Sequence, residues 1–383
     1  MYLKTVLVFF LFYFSNYCFS QNNKNTSLHS DFIDVLHYTI HLNITDISSE
    51  TISGNTILRI VPKQNINEIN LDLQNLNVDS VKINDELIVN YIYNDTILNI
   101  PTEQLSVNDT VNVNIFYNGH PQQDPSTWGG FYFQNGYAFN LGVGMQDNPH
   151  SYGRIWYPCV DDFIDKATYD FYITTSEENK AVCCGTLMET LNNENGNITY
   201  HWNLRDEIPT YLSSVAVAPY ISVDGIFNGM NGEIPTYIYV KQQDSMSAVN
   251  SFVNLNPTLD AYENCFGPYI WERVGYVAVP FNSGAMEHAT NIAYPRAAMN
   301  GLSNETLMAH ELSHHWFGNL VTCKTPEDMW LNEGWASYCE AIFKEFIYGN
   351  YEFKKYVRKN HKEVLRAAHI IDNGFRAVSG VPQ

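Results

Sequence analysis

Two patterns of hydrophobic and polar residues divide this chain, and the change falls near residue 225. Before that point, short runs of alternating apolar and polar residues recur about every ten residues, separated by clusters of Asn, Asp and Gly. Alternation with a period of two is typical of half-buried strands, and such clusters are typical of turns. We predict strands at Leu36–Ile44, Thr51–Val61, Ile69–Leu76, Val78–Ile83, Leu87–Tyr93, Val111–Tyr117, Tyr169–Thr174 and Ile198–Leu204. Many short strands at this spacing predict an antiparallel β domain.

The second pattern favours helices around one short buried strand, Val274–Val279. Ser303 suits the N-cap of a helix that continues to Phe317, and Pro326 suits the first turn of the next. Helices are predicted at Ser245–Phe266, Ser303–Phe317, Pro326–Ile347 and Glu352–Ala368. Strands followed by helices indicate the α+β class. A passage rich in Gly, Asn and Asp near residue 225 places the boundary between a β domain (21–225) and a second domain (226–383).

Residues 1–20 have the layout of a secretory signal peptide. Lys4 precedes an apolar run from Val6 to Phe14, and small residues stand before Gln21. The run is too short to cross a bilayer as a helix, so we predict cleavage and no membrane anchor afterwards. The mature protein is therefore expected to be periplasmic, extracellular or on the cell surface.

The formal net charge of the chain is -20. Proteins that bind nucleic acid need basic faces, and anionic membrane surfaces attract basic segments. The charge therefore argues against both kinds of partner. Most of it is expected to form a solvated acidic surface.

A metal centre is indicated by the H-E-x-x-H sequence from His310 to His314. Residues four apart lie on one face of a helix, so the two imidazoles can bind one ion, with Glu311 close to a metal-bound water. Catalytic zinc needs a third protein ligand. Glu333, on the next predicted helix, is the best carboxylate, and Glu340 and Glu327 on that helix remain rivals.

These residues and their flanks resemble the gluzincin zinc aminopeptidases, the family of aminopeptidase N and leukotriene hydrolase. His310, His314 and Glu333 fit the family pattern H-E-x-x-H-x18-E. Further matching segments are G-A-M-E at 284–287, G-N-L-V-T at 318–322, W-L-N-E-G at 330–334, Y-P-C-V-D-D at 157–162, K-A-T-Y at 166–169 and I-P-T-Y-L at 208–212. The resemblance covers nearly the whole mature chain and implies an N-terminal β saddle followed by a thermolysin-like catalytic domain.

The resemblance also implies roles. His310, His314 and Glu333 would hold one Zn²⁺, and Glu311 would act as the general base. Glu287 would bind the free α-ammonium of a peptide, with Gly284, Ala285 and Met286 beside the substrate as an added strand. The activity implied is removal of N-terminal residues from peptides.

The sequence departs from the family pattern at three points. His288 stands where the family has Asn, as a tolerated replacement or with a role in substrate pairing or pH dependence. A second amino-group ligand of the family has only Gln146 and Asn148 as candidates. The family's oxyanion-donating Tyr should follow the third ligand by several tens of residues, so Tyr338, Tyr348, Tyr351 and Tyr356 come too early. We therefore expect a C-terminally truncated member with an incomplete catalytic domain.

Two other functions remain open. A thermolysin-like endopeptidase would use the same metal chemistry, but Glu287 argues against it. The second alternative is a catalytically incompetent fragment that only binds peptide and zinc. The intact set of His310, Glu311, His314 and Glu333 argues against a loss of activity by substitution. Only the expected truncation favours the incompetent fragment.

Overall fold

The structure, a computed structural model, describes residues 29–371. The predicted signal segment, residues 1–20, lies outside this range. The strands of the N-terminal part are β1 Ile33–Ile44, β2 Ile52–Pro62, β3 Ile66–Asp72, β4 Asn77–Ile83, β5 Glu86–Ile88, β6 Ile92–Tyr93, β7 Ile97–Leu105, β8 Val111–Gly119, β9 Gly129–Gln134, β10 Tyr137–Gly144, β11 Ala167–Ser176, β12 Lys180–Cys183, β13 Thr186–Asn192, β14 Asn197–Ile208 and β15 Val215–Ala218.

These strands form three sheets. An eight-stranded sheet has the order β13-β14-β11-β1-β2-β8-β4-β5, a four-stranded sheet the order β12-β15-β10-β9, and a three-stranded sheet the order β3-β7-β6. The pairing is antiparallel, as predicted, except that β1 runs parallel to β11. Tyr38 of β1 and Tyr169 of β11 are both fully buried and stack at 5.1 Å between ring centroids. The core therefore fixes this long-range parallel pair.

The strand predicted at Leu87–Tyr93 is wrong as a single element. β5 belongs to the eight-stranded sheet and β6 to the three-stranded sheet. Val89, between them, is 82% exposed. An apolar residue with nothing to pack on does not hold a continuous strand, so the chain passes from one sheet to the other here.

The C-terminal part begins with a hairpin and continues into helices. Its elements are β16 Tyr220–Gly229, β17 Gly232–Lys241, α1 Ser245–Ser251, α2 Leu255–Phe266, β18 Val274–Val279, β19 Ile292–Pro295, α3 Glu305–Ser313, α4 Met329–Tyr348 and α5 Asn350–Arg366. The strands form one sheet in the order β16-β17-β18-β19, antiparallel at the first pair and parallel at the other two. Within residues 29–371, no helix has the length and apolar character needed to cross a membrane.

The passage chosen for the domain boundary is part of this hairpin and not a linker. A cut after Gly225 falls inside β16, which pairs with β17 along its whole length. Gly232, with φ +127°, opens β17 directly after the tight turn. Where the two domains divide stays a prediction.

Two helix predictions need correction. The helix predicted over Ser245–Phe266 is two helices, because Phe252 leaves helical geometry and packs against Tyr276 and Tyr294 at 4.7 and 5.5 Å between ring centroids. The next predicted helix, through Phe317, ends at Ser313. The chain turns there, since the Ser313 carbonyl accepts the N–H groups of both Trp316 and Phe317.

Candidate active site

Three side chains, from α3, from the residue directly after it and from α4, converge on one point. The rings of His310 and His314 lie 4.8 Å apart between centroids. Glu333 Oε2 lies 3.3 Å from His310 Nε2 and 3.9 Å from His314 Nε2. The three ligand atoms all lie within 4.8 Å of one another. The structure therefore brings together the trio that the sequence pattern singled out.

The donors of this trio suit a zinc ion. Zinc binds His nitrogen and carboxylate oxygen at about 2.0–2.2 Å in tetrahedral geometry, so neighbouring ligand atoms stand about 3.4 Å apart. The two distances to Glu333 are close to that value. The rival Glu327 is exposed on the 3₁₀ turn that precedes α4, outside the cluster. The rival Glu340 has a different role.

Both histidines use Nδ1 for a hydrogen bond that faces away from the cluster. His310 Nδ1 lies 2.8 Å from Glu340 Oε1. His314 Nδ1 contacts Asn332 Oδ1 and lies 3.2 Å from the Phe317 carbonyl. Because these partners are oxygens, each Nδ1 can donate a hydrogen bond to them, which leaves Nε2 as the ring atom available to a metal ion. The sequence presents Glu340 only as a rival ligand, whereas the structure gives it this outer contact.

Gly318 makes room for one of these partners. Its φ is +136°, which favours glycine, and a β-carbon there would lie 2.6 Å from Asn332 Oδ1. Any side chain would push Asn332 away from His314. Packing against Asn332 therefore explains the glycine of the G-N-L-V-T motif, in addition to any role of the motif at the metal site.

Glu311 lies inside the cleft and is 5% exposed. Burial raises the pKa of its carboxyl to about 7, although the two neighbouring histidines oppose the shift. Carboxylate oxygens of Glu311 and Glu287 and a ring nitrogen of His314 lie within 4.8 Å of one another. The base candidate therefore stands between the metal trio and the predicted amino-group carboxylate.

The segment from Gly284 to Glu287 is fixed by backbone and amide contacts. Met286 and Ala293 exchange two backbone hydrogen bonds of 2.9 Å. Asn319 Nδ2 donates to the Glu287 carbonyl at 2.8 Å, and Asn332 Nδ2 lies 3.5 Å from Glu287 Oε1. Asn332 thus contacts both His314 and Glu287, which ties the metal side of the cleft to the other side.

The N-terminal β domain contacts Gly284 and holds the residues on either side of this segment. Trp128 Nε1 donates to the Ser283 carbonyl at 3.1 Å, and a β-carbon on Gly284 would lie 3.3 Å from that indole nitrogen. Ala289 N–H donates to the Leu212 carbonyl at 3.1 Å. Trp128 was missed as a site neighbour, because no spacing or motif connects a residue 155 positions upstream with Ser283.

His288 is fully buried, and its side chain contacts β10. Its Nε2 accepts a hydrogen bond from the Gly142 N–H at 3.2 Å, and burial lowers the pKa of the ring to about 3. This contact favours the packing interpretation over substrate pairing.

Gln146 and Asn148 are both exposed. The Gln146 backbone N–H donates to the Asp124 carboxylate at 3.2 Å. Within residues 29–371 the structure brings neither side chain into hydrogen-bonding contact with Glu287, so their role in binding the amino group stays a prediction.

Two of the four tyrosines after the third ligand have carboxylate partners. Tyr348 donates to Glu305 at 2.7 Å, and Tyr356 donates to Glu340. Tyr338 and Tyr351 are 48% and 76% exposed. The structure assigns none of these four tyrosines to an oxyanion, and the identity of that donor stays a prediction.

Comparison with protein families gives two matches in chain order. The Peptidase M1 N-terminal domain matches residues 34–212, and the Peptidase family M1 domain matches residues 251–375. The chain belongs to peptidase family M1. Both the predicted family and the fold class, an N-terminal β domain followed by an M1 catalytic domain, are confirmed. The second match contains the whole trio.

Curated relatives of this M1 chain include two bovine enzymes. Endoplasmic reticulum aminopeptidase 2 of Bos taurus is 28% identical over 261 residues, which are 63% of this chain and 27% of the relative. Glutamyl aminopeptidase of Bos taurus is 33% identical over 215 residues, 52% of this chain and 22% of the relative. The chain thus spans about a quarter of the length of the curated relatives it matches.

Solved structures share the fold. An M1 zinc metallopeptidase mutant from Deinococcus radiodurans, bound to a Tyr-Ser-Ala substrate, superimposes with a TM-score of 0.79 at 23% identity, covering 90% of this chain and 77% of that one. Legionella pneumophila aminopeptidase A in complex with aspartic acid gives a TM-score of 0.73 at 19% identity, covering 84% and 38%.

Proposed function

We propose that the protein is a zinc aminopeptidase that removes N-terminal residues from peptides. The observation that carries the proposal is the convergence of the His310, His314 and Glu333 trio with two further buried carboxylates, Glu311 and Glu287. The relatives named above are aminopeptidases, and the similar protein from Deinococcus radiodurans is an M1 zinc metallopeptidase, which supports the same function.

One zinc ion would be held by His310 Nε2, His314 Nε2 and a Glu333 carboxylate oxygen, with a fourth position open. When bound there, zinc lowers the pKa of a water molecule toward ~7 and polarises the scissile carbonyl. Glu340 and Asn332 would hold the two rings so that both Nε2 atoms are available to the ion.

Glu311 is the proton carrier of the reaction. Its buried carboxylate accepts the proton of the attacking water and delivers it to the nitrogen of the departing amine. Burial raises the pKa of this carboxyl, which favours its taking up a proton.

Glu287 gives the reaction its preference for a chain end. Its carboxylate is 5% exposed, so it needs a cationic partner in the substrate. A free α-ammonium supplies that charge, whereas an internal peptide bond would leave a buried carboxylate unpaired, which is costly. This favours an exopeptidase over a thermolysin-like endopeptidase.

Export belongs to the same proposal. The apolar run of residues 1–20 supports secretion through a cleaved signal, followed by action on peptides outside the cytoplasm. Sequencing the N-terminus of the natural protein tests this, since the mature chain should begin at Gln21. A mature chain that still begins at Met1 would contradict it.

The activity is tested with an amino-acid chromogenic amide and its Nα-acetylated twin. Cleavage of the free amine alone is expected. Equal cleavage of the acetylated twin would mean an endopeptidase-like enzyme. Binding of one zinc without cleavage of either compound would leave the protein as a binder of zinc and peptide.

A further inference from the structure

A chain of hydrogen bonds connects three helices with the metal trio. The hydroxyl of Tyr356 on α5 donates to Glu340 Oε2 on α4. The other oxygen of that carboxylate, Oε1, lies 2.8 Å from His310 Nδ1 on α3. His310 Nε2, at the far side of the ring, lies 3.3 Å from Glu333 Oε2. Each link uses a different atom of the residue it passes through.

The Tyr356 hydroxyl fixes the plane of the Glu340 carboxylate. A carboxylate bonded through one oxygen can rotate about its χ3 torsion, which is broad for Glu. A second hydrogen bond to the other oxygen restricts that rotation. The Glu340 side chain is 18% exposed, so little water competes for its oxygens.

The hydroxyl stays a donor at neutral pH. Burial and the adjacent Glu340 carboxylate raise the pKa of Tyr356 well above its ordinary value. Since a protonated phenol has one hydrogen, and this one goes to Glu340 Oε2, the carboxylate keeps Oε1 for the ring of His310.

We propose that Tyr356 is a positioning residue of the metal site, which acts through Glu340 on the orientation and basicity of His310. The inference rests on the proposed zinc chemistry and adds a residue that touches neither metal nor substrate. Outer partners of a zinc-bound imidazole typically change metal affinity by ~10–100-fold. Because Tyr356 is one hydrogen bond further from the metal, its effect on zinc affinity should lie at the lower end of that range.

The experiment compares Tyr356→Phe with Tyr351→Phe, a control on the same helix whose side chain is 76% exposed. Zinc affinity is measured by competition with a chromogenic chelator, and the apo proteins are melted in parallel. We expect Tyr356→Phe to weaken zinc binding about tenfold and to speed zinc release, with the apo melting temperature unchanged. The control should behave as wild type.

A double-mutant cycle tests whether Tyr356 affects zinc binding through Glu340. Glu340→Ala should weaken zinc binding more than Tyr356→Phe does. Adding Tyr356→Phe to Glu340→Ala should then change nothing further. Equal effects of Tyr356→Phe in both backgrounds would overturn the proposal.

If Tyr356→Phe lowers the apo melting temperature, the visible spectrum of the cobalt-loaded protein decides, because a purely structural role would leave its ligand-field bands in place. Shifted bands are expected, and unchanged bands overturn the inference. A wild-type protein that binds no zinc would contradict the proposed function itself. Zinc binding in wild type that Tyr356→Phe does not alter would refute only the inference.

Discussion

The two sides of the cleft are built in different ways. The metal side uses residues from His310 to Glu340, on α3, α4 and the turn between them, and its outer hydrogen bonds also come from that stretch or from α5. The Gly284–Glu287 side is an irregular segment whose flanking residues are held from a distance, among others by Trp128 and Leu212 of the N-terminal β domain. The metal side should therefore depend on local helix packing, and the substrate side on how the two domains meet.

The largest effect on zinc binding is expected for Glu333→Gln, which removes the only anionic ligand of the trio. A four-ligand structural zinc site binds with ~10–16 kcal/mol, so losing one ligand should weaken zinc binding by about 10² or more. Zinc content after dialysis against a weak chelator measures this. Full occupancy in Glu333→Gln would mean that another carboxylate, such as Glu340, is the ligand.

The corresponding substitution on the substrate side is Glu287→Gln. Zinc content should stay as in wild type, whereas kcat/KM for a free-amine substrate should fall by about 10²–10³, because a buried ion pair with the α-ammonium is lost. The Nα-acetylated twin should stay uncleaved by wild type and variant alike. If zinc content falls too, the two sides are not separable in the way the structure indicates.

The contribution of the β domain is tested by Trp128→Ala beside Trp128→Phe. Loss of the bond to Ser283 and of the ring against Gly284 should raise KM by about tenfold with zinc retained, since one neutral hydrogen bond contributes ~0.5–1.5 kcal/mol and a misplaced segment adds to it. Phe keeps a ring and should have the smaller effect. Equal kinetics for wild type and Trp128→Ala would show that the segment holds its shape alone.

The smallest effect is expected at His288. Burial lowers the pKa of this ring to about 3 from an unfolded value of about 6.5, so between these two pH values the unfolded state binds more protons. Folding stability should therefore fall as pH drops from 6.5, by at most ~1.4 kcal/mol per pH unit from this group.

His288→Asn should flatten that dependence, whereas His361→Asn, at an exposed histidine on α5, should not. Urea unfolding at pH 7, 6 and 5 measures the slopes. Parallel curves for wild type and His288→Asn would mean that the ring takes up a proton in the folded protein.

The sequence predicted the metal trio because its information is local. A four-residue spacing on a helix sets His310 and His314 side by side, and Glu333 follows on the next helix. Spacing could not choose between Glu333 and Glu340, which lie on similar faces of α4. The choice depends on how α3 crosses α4, which points Glu333 at both Nε2 atoms and Glu340 at His310 Nδ1.

Contacts between distant segments were beyond the sequence. The parallel pairing of β1 with β11 joins residues 131 positions apart, such as His37 and Thr168. The contact of Trp128 with Ser283 likewise joins residues that are far apart in the sequence. The family motifs named Glu287 and Gly284, but not the side chains of the β domain that hold them.

The most direct test of the account is Glu311→Gln in the zinc-loaded protein. The variant should bind one zinc per chain with wild-type affinity, because Glu311 is the proton carrier and not a ligand. Its kcat on a free-amine amino-acid amide should fall by about 10²–10⁴, the range typical of a lost general base. Turnover within a few-fold of wild type at full zinc occupancy would contradict the proposed reaction.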